Sequence, residues 1–84
     1  MRLDKWLWQA RFFKTRSLAT RYVETSRCRV DGRVTDKPHA AVVPGMVLTF
    51  ALGSRVHVVR IRALGERRGP APEARALYDE IEPD

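Results

Sequence analysis

Ten basic residues crowd the first 37 positions against four acids. They are Arg2, Lys5, Arg11, Lys14, Arg16, Arg21, Arg27, Arg29, Arg33 and Lys37. Guanidinium and ammonium groups do not make or break bonds in such a series; they grip anions, arginine through a planar fork that fits phosphate oxygens two at a time. A merely solvated surface would carry interspersed acids as i,i+4 partners. Those partners are scarce here, so the missing counter-charge is read as a polyanion. Two further residues belong with the cations. Thr15 is placed to cap the helix that begins at Arg16, and Asp4 stands in the first turn of another, where the helix dipole favours a carboxylate.

The same residues argue against catalysis. An active site needs convergent groups with defined roles, and the candidates are Cys28, His39, His57 and scattered carboxylates. Asp31 is taken by a turn, Asp4 by a helix start, and Asp36 lies beside Lys37 in a loop. Neither histidine has a partner at metal-ligand spacing, and no glycine-rich phosphate loop is present. The sequence predicts no catalytic residue, no metal and no cofactor. Cys28 is the one cysteine, which rules out an internal disulfide and suits a small buried side chain in a reducing compartment.

The elements that must position the cations follow from periodicity. Leu3, Trp6, Leu7 and Ala10 form an i, i+3, i+4, i+7 stripe, predicting a helix from about Leu3 to Arg11. Trp8 points off that stripe and is expected beneath a later segment. Phe12 and Phe13 are expected as core or hinge filling in a link too short to let two helices separate. The second helix, from Arg16 to about Ser26, carries Leu18, Ala19, Tyr22 and Val23 on one side. A glycine would suit a left-handed exit there, and Ser26 is less comfortable.

Beyond it the pattern turns to strands. Val30-Asp31-Gly32 predicts a tight hairpin, because both turn positions favour positive φ. Residues 35–41 read as a loop, Pro44-Gly45 as a turn, Met46–Leu52 as a strand and Gly53-Ser54 as its return. Arg55–Leu64 is predicted as a long strand, its imperfect alternation implying a bulge or cover on both faces. Pro72 then opens a closing helix with a stripe at Ala74, Leu77, Tyr78 and Ile81.

The totals agree with one small α+β body. The 84 residues carry 16 basic and 10 acidic groups, a formal charge of +6. Residues 1–68 hold 15 basic against 5 acidic side chains, while residues 69–84 hold one against five. The division is therefore a basic domain over 1–68 and an acidic closing helix over 69–84, packed on that body. With no signal-like leader and no membrane-length apolar run, a cytoplasmic protein is expected.

Arg2-Leu3-Asp4, Leu7, Lys14-Thr15-Arg16, Ala19, Val23, Val30-Asp31-Gly32, Val42, Gly45 and Leu48 together resemble the S4-type RNA-binding domain family. The fuller run Arg2–Trp8, Ala10-Arg11-Phe12, Arg67-Arg68, Pro70-Ala71, Glu73-Ala74 and Leu77-Tyr78 is similar to its bacterial heat-shock and ribosome quality-control branch. That resemblance implies the αL fold: two packed N-terminal helices beside a small, mostly antiparallel sheet, plus a short C-terminal helix. It implies ribosomal RNA of the large subunit and peptidyl-tRNA as partners, held without chemistry on a dissociated subunit carrying a stalled chain. Arg2 and Arg16 match the family's RNA-contacting arginines, with Asp4, Lys5, Lys14 and Thr15 in the same motif. Neither a membrane nor a small-molecule substrate is expected, and a monomer is. Ser26, Asp31 and His39 depart from the usual glycine, asparagine and serine, and the long basic extension of some members is missing. A small DNA-binding regulator, a ribosomal structural protein and an RNA-modifying enzyme reduced to its binding module are the alternatives.

Overall fold

The computed structural model describes residues 1–81. Its elements run α1 (Leu3–Gln9), α2 (Arg16–Thr25), β1 (Cys28–Val30), β2 (Arg33–Thr35), β3 (Val47–Leu52), β4 (Arg55–Ile61), α3 (Ala71–Arg75) and β5 (Tyr78–Glu80). The five strands form one antiparallel sheet in the order β2-β1-β3-β4-β5. Leu3, Trp6, Leu7 and Ala10 of the first helical segment, with Ala19 and Val23 of α2, pack on Cys28, Leu48, Phe50, Val59 and Ile61 of the sheet. The first stripe read from periodicity is therefore a buried face; of the second, Ala19 and Val23 are buried, Tyr22 is half-buried and Leu18 is exposed.

The short link between the helices is held by aromatic contacts. Phe12 sits 4.8 Å from Phe50 and 4.8 Å from Tyr78, and Phe13 lies 5.3 Å from Tyr22. This is the core filling expected of the pair. Buried Trp6 donates its indole N–H to the Ala63 carbonyl at 3.0 Å, so its polar edge is satisfied.

Several boundaries differ from expectation, each for a local reason. α1 stops at Gln9, short of Arg11, because Arg11 has φ of 65°. A left-handed non-glycine residue costs about 1–2 kcal/mol. Here the Arg11 Nε donates to the Gly69 carbonyl at 2.7 Å and anchors that conformation. α2 ends as expected near Ser26, but Ser26 is extended, with φ −120° and ψ 165°. No left-handed exit is used, so the absent glycine brings no strain. The Asp31-Gly32 turn has φ of 51° and 81°, the hairpin geometry expected. β4 pairs with β3 in unbroken register from Arg55 to Arg60. Its mixed alternation comes from an open outer face that exposes Val56, and not from a bulge or a second cover.

The acidic closing helix is corrected. Only Ala71–Arg75 is helical, and Tyr78–Glu80 is a strand paired with Val59–Ile61. The helix closes through Ala76 and Leu77, whose amides bond to Glu73 and Ala74 at 3.2 and 3.1 Å. Beyond that point the unpaired edge of β4 offers hydrogen bonds that one more helical turn would leave unmade. Tyr78 reaches Phe12 and Trp6 from the strand as well as it would from a helix. Residues 82–84 of the expected helix lie outside the described residues.

Candidate nucleic-acid interface

The site is assembled around one buried carboxylate. Asp4 is 1% exposed and accepts from Arg2 Nε at 3.1 Å and Arg2 Nη2 at 3.0 Å. It also accepts from the Lys5 amide and the Thr20 hydroxyl, each at 2.8 Å. Arg16 Nη2 approaches its Oδ1 at 4.0 Å. Burial alone would push this carboxyl up; the Thr20 hydroxyl, the Arg2 guanidinium and the Lys5 amide outweigh it and hold the group below its usual 3.8. Asp4 therefore cannot touch a ligand. It fixes two arginines whose side chains remain 49% and 43% exposed. One carboxylate facing two guanidiniums leaves a net positive charge at this point.

The start of α2 lies in the same place. The Thr15 hydroxyl accepts from the Leu18 amide at 3.1 Å, the cap expected of it. The first helical amides, Arg16 and Ser17, have no acceptor within the helix. They and the helix dipole favour an anion beside Arg16. The loop before β3 closes the other flank: Pro38 and Ala40 carbonyls accept from the Asp4 and Leu3 amides at 3.1 and 2.8 Å. Lys37, exposed, directly precedes Pro38 in this loop.

Not every predicted cation joins this group. Lys5 is half-buried on α1, while Lys14, Arg21 and Arg27 are exposed on and beside α2. Arg33 stands on the hairpin after Gly32, at the edge of the sheet. Arg29 faces the wrong way. It sits opposite Thr49 and one residue out of phase with buried Cys28, on the sheet face away from both helices. Arg11 is committed to Gly69 as a structural tie. No salt bridge engages Lys5, Lys14, Arg21, Arg27, Arg33 or Lys37 among the described residues.

One cation absent from the predicted set does arrive there. Arg68 Nε donates to the Trp8 carbonyl at 3.2 Å, and its Nη2 to the Phe13 carbonyl at 3.4 Å. Its guanidinium carbon stands 5.8 Å from the centre of the Trp8 ring, within cation–π range. Trp8 is thus covered by a later segment, as expected, and the cover is an arginine. A separation of 60 residues hides that contact from any local pattern.

Cys28 is buried, which pushes its thiol up to about 11. His57 packs beside the Phe12–Phe50 pair, 5.5 Å from each ring, with Glu80 2.8 Å from its Nδ1. No group of three or more metal-capable side chains occurs among the described residues. Nor, among them, is any helix long and apolar enough to cross a membrane.

Comparison with known proteins agrees with the fold. A sequence model of the S4 domain matches residues 1–48. Heat shock protein 15 of Escherichia coli (strain K12) is 42% identical over 80 residues, covering 95% of this chain and 59% of that protein. The chain therefore spans about three fifths of such relatives. The RQC P-site tRNA stabilizing factor of Listeria innocua is 38% identical over 78 residues, covering 93% of this chain and 83% of that protein. The structure of Vibrio cholerae heat shock protein 15, described as trimeric, superposes with a TM-score of 0.90 at 42% identity, covering 96% of this chain and 81% of that one. With the helix pair, the hairpin and the clamped arginines in place, the chain belongs to the S4-domain family, in the branch that includes heat shock protein 15 and the RQC P-site tRNA stabilizing factor.

Proposed function

We propose that this protein binds structured RNA through the Asp4-clamped Arg2 and Arg16 and the exposed start of α2. On this reading its partners are large-subunit ribosomal RNA and peptidyl-tRNA on a dissociated subunit whose nascent chain has stalled. The observation that carries the reading is the buried Asp4 holding two half-exposed guanidiniums beside unpaired helix amides. Such a fixed array recognises backbone phosphate and shape, as suits double-stranded RNA, whose deep groove admits few side chains. Lys5, Lys14, Thr15, Arg21, Arg27, Arg33 and Lys37 enlarge the positive field around it.

Action is by holding, in the cytoplasm, with no bond made or broken. The quality-control setting draws support from the relatives' names. The test is sedimentation of tagged protein through a sucrose gradient after ribosome stalling. Cofractionation with free large subunits is expected; association only with translating ribosomes would point to a ribosomal structural protein, and preference for duplex DNA to a regulator. If about six phosphates are neutralised, affinity for RNA should fall roughly 10³-fold between 50 and 200 mM salt.

A further inference from the structure

Of the arginines after residue 50, Arg60, Arg68 and Arg75 form no salt bridge among the described residues, and of these three Arg68 has its guanidinium hydrogen-bonded there. Arg55, Arg62 and Arg67 meet Glu80, Asp79 and Glu73. No carboxylate lies within ion-pair distance of Arg68 among the described residues. Its guanidinium is instead held by two backbone carbonyls and the Trp8 ring. A neutral cradle fixes the geometry of the cation without cancelling its charge. Of five guanidinium N–H donors, two are used, leaving both Nη1 donors and one on Nη2 for a ligand.

Its position ties it to the clamp. Asp4 and Trp8 are i,i+4 neighbours on α1, one above the other and about 6 Å apart along the axis. The Phe13 carbonyl that Arg68 holds is followed directly by Lys14, Thr15 and Arg16. One turn of α1 therefore separates the Arg2–Asp4–Arg16 group from the Trp8–Arg68 group, and both border the start of α2.

Resting on the RNA-binding reading above, we propose that Arg68 is an RNA-backbone phosphate contact, which extends the interface from the helix pair onto the segment after β4. The residues matched by the S4 domain, 1–48, then form only part of the grip. The strand held at Arg2 and Arg16 continues across Trp8 to a second fixed fork.

The test titrates the full chain against a folded large-subunit ribosomal RNA transcript at several salt concentrations. Arg68→Gln keeps an amide donor for the cradle and removes the charge. It is expected to weaken binding several-fold and to reduce the slope of log affinity against log salt by about one. Arg68→Lys is expected to keep the wild-type slope while losing some affinity, because an ammonium has no fork. Arg67→Ala, which removes an arginine paired to Glu73, is expected to leave the slope unchanged. Thermal unfolding of each variant separates lost contact from lost fold. A wild-type slope in a folded Arg68→Gln, or an equal drop in Arg67→Ala, overturns the proposal. Absence of RNA binding by the wild-type chain would instead overturn the broader reading.

Discussion

Asp4 and Thr20, 16 residues apart, meet across the two helices through a 2.8 Å hydrogen bond from the Thr20 hydroxyl to Asp4 Oδ2. The contact locks α1 to α2 at the level where Arg2 and Arg16 emerge. Asp4→Asn keeps the shape but lacks the charge that holds both guanidiniums. We expect a loss of about 1–3 kcal/mol in stability, read by chemical denaturation. RNA affinity should also fall, measured by filter binding, although residue 4 is out of reach of any ligand. Unchanged affinity in the folded variant would show that the clamp does not position the arginines.

The same carboxylate sets an acid limit. Its folded-state value lies below the usual 3.8, so the unfolded chain takes up the proton first as pH falls. The stabilisation is complete above about 3.8 and is lost as pH drops through the lower folded value. Melting temperatures recorded from pH 5 to pH 2 should fall more steeply for the wild type than for Asp4→Asn. Parallel curves would contradict the sign of the shift.

Arg2→Ala and Arg16→Ala should each weaken RNA binding while leaving the circular dichroism spectrum that of a folded chain. Arg16 only approaches Asp4, at 4.0 Å, so its loss should leave melting close to wild type. Arg2→Ala strips two hydrogen bonds from a buried carboxylate and should cost about 1–3 kcal/mol. The loss of affinity should be similar across RNA sequences, because phosphate contacts carry no base information. Full affinity in both variants would move the site elsewhere.

Leu7 is 0% exposed at the centre of the helix–sheet core. Leu7→Ala should cost about 2–5 kcal/mol by opening a cavity. Urea denaturation reads this directly, and binding should weaken only as the folded fraction drops.

Cys28 is 0% exposed and its thiol is pushed up to about 11 by burial. It should resist a water-soluble thiol reagent in the native protein at neutral pH and react at once after unfolding. Fast native labelling would mean that β1 opens from the sheet.

Legibility followed the range of the interactions. The two helical stripes, the Thr15 cap and the Asp31-Gly32 turn could be read because each is settled within a few residues. The closing strand could not. Ala74, Leu77 and Tyr78 suit a helix by spacing, yet the hydrogen-bonding edge of β4 lies far back in the chain. The face Arg29 takes was hidden for a related reason, since a strand residue's face depends on which neighbour in the sheet is buried.

What residue order alone determined is the supply of parts: a surplus of cations in the first half, two amphipathic helices, and a hairpin turn that only certain backbone angles allow. Tertiary structure decided which cations act together. It buried Asp4 between Arg2, Arg16 and Thr20, turned Arg29 to the far face, tied Arg11 to Gly69 and brought Arg68 over Trp8. Periodicity encodes which side of an element is apolar. The partner of a charged group is fixed only when distant segments close around it, because the field of a charge depends on distance through space and not along the chain.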